Sequence, residues 1–487
     1  LKKSNAAEIL LRNFSPEHLE RVIGEFDTSG LAQESRTKTK QPNNILDDDE
    51  NFINEDGEFS GDLKLYSDNE GEAAFAFHGL AGEVVRKIDP HTEADPKATL
   101  ITFLSAFGNI IGDSAHFTAG SRKHPARIFT VVVGATGKGR KGTSLSPVRH
   151  LFNAINPEWE KENIVSGLSS GEGIIHAIRD EETKKVPITE GKGKEKRIVD
   201  YEVTISDEGV KDKRMFVIEE EFGKTLRVAK REGNTLSAII RELWDTGSPR
   251  TLTKVPLRAT NSHVSILGQI TQEELKKEFT STDLVNGLAN RFLWLTVKRS
   301  KLLPSGGDFH NIDISMLVNK IKEAIEFASI TTEITRDDEA EKLWEEVYGP
   351  LSTGAGGLIG AVTSRAEAQT MRLACIYALL DQSHVIKPTH LKAALDLWKF
   401  SFKSARFIFG NEAVLEHPNA MKLLRELKAR KGRGMTRNEV REFFNRNLSK
   451  KELDFITDEL ISNGFIRVGK VRMEGAKKPT QIITLLE

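Results

Sequence analysis

The chain alternates between continuous apolar runs and stretches with helical spacing, and that alternation is what predicts its core. Ile128-Phe129-Thr130-Val131-Val132-Val133 is an unbroken, β-branched run ending at Gly134, as expected of a strand buried on both faces. Met215-Phe216-Val217-Ile218, His263-Val264-Ser265-Ile266-Leu267 and Phe292-Leu293-Trp294-Leu295-Thr296-Val297 repeat the pattern, with helical stretches between them. Buried strands with helical crossovers predict an α/β core built on a mainly parallel sheet. Upstream, Leu80, Val84, Val85 and Ile88, then Leu100, Phe103, Leu104, Phe107 and Ile110, predict two amphipathic helices separated by Pro90 and Pro96.

Beyond Gly307 the period turns helical for about a hundred residues, over 314–328, 337–347, 364–380 and 389–407, which reads as an all-α lobe. From Ala420 onward the pattern is a helix, the capping box Thr436-Arg437-Asn438-Glu439, a second helix, a third opened by Ser449, and strands at Gly464–Val468 and Thr480–Thr484. This order predicts a winged helix-turn-helix. Ahead of the core, Ser15-Pro16-Glu17 opens a short helical piece, and between Leu46 and Glu72 eleven acids face Lys64 alone, which predicts a flexible acidic linker. The expected division is 1–27 helical segment, 28–72 linker, 73–306 α/β core, 307–410 helical lid and 411–487 winged helix.

Charge changes this picture only region by region. Across 487 residues, 70 Lys and Arg against 71 Asp and Glu leave a net charge of −1, so the chain as a whole is not a polyanion binder. From Met421 onward, sixteen basic against nine acidic residues give +7, the sign needed to approach phosphate backbones. A single cysteine, Cys375, excludes a disulfide framework and suits a reducing cytoplasm. No apolar run has the length of a membrane span, and the start at Leu1 rather than Met is compatible with a preceding segment.

The candidate chemistry begins where the first buried strand ends. Gly134-Ala135-Thr136-Gly137-Lys138-Gly139-Arg140-Lys141-Gly142-Thr143-Ser144 followed by a helix has the ingredients of a phosphate cradle: glycines that free backbone N–H groups, a lysine for terminal phosphates, a hydroxyl for Mg²⁺, and a helix N-terminus. Its order is a variant, because Gly142 follows Lys141 where the usual loop places glycine first. The plain alternative is a solvated basic turn. Downstream, Glu219-Glu220-Glu221 crowd three carboxylates at the end of a buried strand, where a Mg²⁺ nucleotide site would use them. Glu219 is assigned to the metal and Glu220 to the attacking water.

Gln269 and Thr271 emerge from the next strand where a γ-phosphate sensor would stand, although Thr271-Gln272-Glu273-Glu274 also reads as a capping box. Arg291, just before a strand, is a candidate arginine finger acting on a neighbouring subunit, with a local ion pair as the alternative. Arg365 and Arg372 lie two turns apart on one helical segment, and Arg365 is the better nucleotide sensor. Ser169 and Glu172 have capping-box spacing. Two basic insertions, one with Lys192, Lys194, Lys196 and Arg197, the other with Arg250, Lys254 and Arg258, are candidates for tracking a nucleic-acid backbone.

Taken in order, these five features resemble an AAA+-type ATPase. Val165 to Gly173, Phe216 to Phe222, Leu243-Trp244-Asp245 and Arg365 to Leu380 more closely resemble a poorly characterised, helicase-like bacterial family often encoded by mobile elements and sometimes fused to a primase-polymerase. The resemblance covers roughly residues 75 to 400. The lid stretch is also similar to that of minichromosome-maintenance helicases, which would make Arg365 the lid arginine. The resemblance implies an ATP- and Mg²⁺-dependent DNA helicase or translocase, acting as a ring, expected to be a hexamer, in replication of a mobile element or phage. A primase-polymerase is an expected partner. Two alternatives stay open: a replication initiator or loader that hydrolyses ATP without unwinding, and a nucleotide-binding DNA-binding module with little hydrolysis.

Overall fold

A computed structural model describes residues 74–134, 141–190, 197–254, 256–279, 286–353, 357–409, 418–430, 433–462, 465–471 and 480–485. The expected N-terminal helix and acidic linker lie outside the described residues. The described residues form two compact units, one within 73–344 and 367–404, the other within 345–366 and 405–487.

The first unit is an α/β fold. A ribbon of β1 (His116–Ala119) and β2 (Arg122–Pro125) precedes β3 (Phe129–Gly134), every residue of which is buried. β4 (Ile164–Val165) is two residues long, β5 (Glu182–Glu190) and β6 (Arg197–Asp207) form an antiparallel ribbon of their own, and β7 (Arg214–Glu219), β8 (His263–Thr271) and β9 (Phe292–Val297) complete the core strands. β4, β7, β8, β3 and β9 make one sheet in that spatial order, and every pairing is parallel. All five carboxyl ends therefore face the same way, with β3 between β8 and β9.

The two expected upstream helices form as Gly79–Ile88 and Pro96–Ile110. Asp95 caps the second by accepting from the Lys97 amide, and Pro96 stands where a missing N–H costs nothing. That helix is buried on nearly every side rather than amphipathic, because it lies across the sheet; Asn109 donates to the carbonyls of Met215 and His263.

Residues 367–404, expected in a separate helical lobe, belong to the same unit as the sheet. Edge strand β9 explains part of this. The amides of Trp294 and Thr296 donate to Ser401 Oγ (2.9 Å) and Ser404 Oγ (3.0 Å) of the helix Pro388–Phe409, which closes an otherwise open sheet edge. Arg372, wholly buried on the helix Ala366–Leu380, donates to the carbonyls of Arg127 and Trp244 near the amino-terminal ends of the strands, with its guanidinium 3.8 Å from the Trp244 ring centre.

In the second unit, helix Pro418–Ala429, β12 (Met435–Thr436), helices Arg437–Phe443 and Lys450–Ser462, β13 (Ile466–Val471) and β14 (Thr480–Leu485) follow in order. The strands form an antiparallel sheet, β12-β14-β13, packed on Leu423, Leu424, Leu453, Ile456 and Ile466. The Thr436–Glu439 capping box is present in both directions, and Ser449 and Glu452 exchange the same pair of bonds. The short parallel pair β10 (Thr335–Arg336) and β11 (Val385–Ile386) belongs to the first unit.

Candidate nucleotide site

The site lies at the carboxyl ends of the parallel strands, where α/β sheets present loops to ligands. Gly134 ends β3, residues 135–140 lie outside the described residues, and Lys141–Ser144 form one 3₁₀ turn before the helix Leu145–Ile155. Gly137, Gly139 and the side chain of Lys141 thus fall outside what is described. Thr143 is half-buried and its carbonyl accepts from Thr92 Oγ1, while Ser144 is fully buried.

Gly142 brings the site together. A Cβ on Gly142 would stand 3.4 Å from Gln269 Oε1 and 3.7 Å from Glu220 Oε2. The turn after β3, the acid after β7 and the amide near the end of β8 therefore converge on one backbone position, although they are some 80 and 130 residues apart in sequence. Gln269 is 1% exposed, and its Nε2 has no hydrogen-bond partner among the described residues. An orphan donor of this kind carries a desolvation cost unless a ligand satisfies it.

The acids at the end of β7 have different surroundings. Glu219 ends β7 opposite Gly268, is 7% exposed, and its Oε1 accepts from the Gly167 and Leu168 amides, both at 2.6 Å. Gly167 has φ +95°, the left-handed region that lets consecutive amides converge on one oxygen. Glu219 therefore tethers the segment after β4, whereas Glu220 faces Gly142. Glu221 is exposed beside the start of helix Phe222–Ala229.

Other expected residues take other positions. Thr271 caps the helix Gln272–Glu278 through the Glu274 amide. Ser170, not Ser169, caps the helix Gly171–Ala177, and Glu172 accepts from Thr235 Oγ1, so the anticipated Ser169–Glu172 box does not form. Arg291 is 7% exposed and its Nη2 donates to Asp245 Oδ2 at 2.5 Å, with Nη1 turned to the Gly287 carbonyl. It precedes β9, at the end of the sheet opposite Gly134. A six-residue strand spans roughly 20 Å, so Arg291 cannot reach the phosphate turn of its own chain. Arg365 is half-buried in the second unit.

Among the nucleic-acid candidates, Lys192, Lys194 and Lys196 lie outside the described residues. Arg197 opens β6; Arg250 bridges Arg258 across a short loop, and Lys254 is exposed on it beside the 93% exposed Leu252.

The sequence reading missed Lys298, which follows β9 immediately beyond the register partner of Gly134. Burial pulls its ammonium down to about 8, and its amide donates to Asp95, whose carboxyl burial pushes above its ordinary range. A lysine after a buried strand carries no one-dimensional mark of this position. No protein-family model matches the chain, and the comparison with curated proteins returns no significant match.

Proposed function

We propose that the chain is an ATP-dependent DNA helicase or translocase motor with an AAA+-like core, a helical lid and a C-terminal winged helix, acting as a ring. The convergence on Gly142 of Glu220 and of Gln269, whose Nε2 is unpartnered among the described residues, beside a helix N-terminus, carries this reading. The residues present suit a Mg²⁺ nucleotide. A Cβ on Gly142 would only touch Gln269 and Glu220 at van der Waals distance, so the Thr143 hydroxyl, the Glu220 carboxylate and the Gln269 amide donor gather around this turn.

In this reading Thr143, with Ser144 as alternate, and a carboxylate of the Glu219–Glu220 pair hold Mg²⁺, which when bound neutralises charge developing on the β- and γ-phosphate oxygens. Lys141 binds the terminal phosphates. Glu220 accepts a proton from the attacking water, and the Gln269 amide donates to the γ-phosphate. Arg291 acts on an adjacent subunit only after leaving Asp245. The charge of +7 beyond Met421 supports DNA contact; Lys422, Arg425 and Lys428 are exposed along helix Pro418–Ala429, whereas helix Lys450–Ser462 exposes Lys450 and Lys451 beside Glu452, Phe455 and Asp458. The first helix is thus the more uniformly basic route to phosphate.

The test is phosphate release from Mg-ATP with and without DNA, for the native chain and Glu220→Gln. The variant should keep ATP and lose turnover; normal turnover in it would remove the proposed role of Glu220. Strand displacement on a forked duplex separates a helicase from an initiator or loader, and absence of phosphate release leaves the binding-module reading.

A further inference from the structure

The β5–β6 ribbon carries an apolar face that nothing among the described residues covers. Alternation along β6 puts Val199, Tyr201, Val203 and Ile205 on one side, exposed by 45, 53, 60 and 58%. Pro187, Lys185 and Thr183 stand opposite Tyr201, Val203 and Ile205 in register and share that side. The other face mixes charge and apolar side chains, with Asp200 and Glu202 opposite Ile188 and Val186. A two-stranded ribbon is marginal in water by itself, and exposed apolar area of this kind marks an interaction surface.

Charge decides between the classes of occupant. The two strands carry five acids, Glu182, Glu190, Asp200, Glu202 and Asp207, against Lys184, Lys185 and Arg197, so the shaft has a net charge of −2. That sign disfavours a phosphate backbone along the shaft, and Tyr201 is the one aromatic ring on a face otherwise of valine and isoleucine, too little for base stacking. The lysines of the expected nucleic-acid contact lie instead in 191–196, at the connection between the strands. The apolar face suits protein.

We propose that this face is an interface between two copies of the chain, ribbon against ribbon about a twofold axis. The four β6 side chains expose on the order of 400 Å² per ribbon, so with Pro187 and the Lys185 stem a face-to-face pair buries about 1,000 Å², the lower limit for a specific interface. An apolar strip of β-branched side chains around Tyr201 is complementary to itself, as an isologous contact requires. At this area the contact holds a weak, reversible dimer.

The experiment uses the full chain without nucleotide, so its failure and that of the ATPase reading are independent. Sedimentation velocity from about 1 to about 100 μM should show a concentration-dependent dimer, and Val203→Asp should weaken it more than roughly tenfold, whereas Glu202→Lys on the opposite face should not. Cys375 is wholly buried with its thiol pushed up to about 12, which leaves an introduced cysteine as the reactive one. A bismaleimide spanning about 8 Å should link Val203→Cys but not Glu202→Cys, given the ~10 Å spacing of packed sheet faces. Should Val203→Asp lower the melting temperature, Tyr201→Ser repeats the test with a gentler change. A monomer at every concentration overturns the proposal, as do equal cross-linking of the two cysteine variants and loss of forked-DNA binding in Val203→Asp at unchanged mass.

Discussion

Replacing Gln269 by methionine separates stability from function at a single side chain. Gln269 is 1% exposed with Nε2 unpartnered among the described residues, and such a donor costs about 1–3 kcal/mol. Methionine matches the length and removes the orphan, so the ligand-free protein should gain about 1 kcal/mol, a rise of roughly 2 °C for a unit of this size. Saturation with Mg-ATP at about 100 times its dissociation constant adds about 2.7 kcal/mol to the native protein. The variant, lacking a hydrogen bond to charged phosphate, should recover about 1.5–3 kcal/mol less of that increment. The two melting curves therefore cross: the variant melts higher without ligand and lower with it. Scanning calorimetry with a slowly hydrolysed ATP analogue measures both. A variant that melts lower in both states would show that Gln269 is a packing residue, and an unchanged ligand shift would remove it from the site.

Other positions yield sharper structural checks. Burial, with Arg127 nearby, pulls buried His263 down to about 3, below its ordinary value of about 6.5, so the unfolded chain takes up the proton first. Stability from this group is complete above about pH 7 and lost as pH falls toward 3, about 2 kcal/mol of it by pH 5; His263→Gln, which keeps a donor for the Gly108 carbonyl, should flatten that part of the pH–stability curve. Arg291→Ala breaks the pair with Asp245 and should cost about 3 kcal/mol in urea unfolding, whereas an arginine projecting only outward would leave the midpoint unchanged. Ser401→Ala strands the Trp294 amide and should cost about 1–3 kcal/mol, and Ser401→Thr should recover part of it.

The sheet was legible because parallel strands buried on both faces read as unbroken apolar runs, and β3, β7, β8 and β9 each carry one. β4 was not, since two residues, Ile164 and Val165, hold no periodicity. Local capping was legible where both partners lie within one turn, as with Thr436 and Glu439, but the frame slipped at Ser169. There the helix starts one residue later, and Gly171 packs so closely on Thr235 and Ile239 that a Cβ would come within 2.5 Å. The residue types around the phosphate turn pointed to Glu220 and Gln269, whereas Arg291 and Arg372 could not be placed from sequence. Their burial depends on Asp245, Trp244 and Arg127, residues 46 to 245 positions away.

The tether from Glu219 turns the assignment of the acids into a measurable alternative. Its Oε1 already serves two amides at 2.6 Å, so drawing that oxygen into a metal shell would strand two donors, about 1–3 kcal/mol each where they are shielded from water. Either Glu219 keeps its tether while Glu220 serves the metal, or it leaves and the segment at Gly167 and Leu168 loosens. Amide exchange at these two residues distinguishes the cases: protection unchanged by Mg-ATP fits the first, and faster exchange fits the second. Glu219→Gln preserves an acceptor but not its charge, so in the first case exchange should quicken before any nucleotide is added while ATP affinity holds. In the second, ATP affinity should fall in the presence of Mg²⁺ and not in its absence. Unaltered exchange and affinity in Glu219→Gln would mean that the charge on Glu219 does neither job.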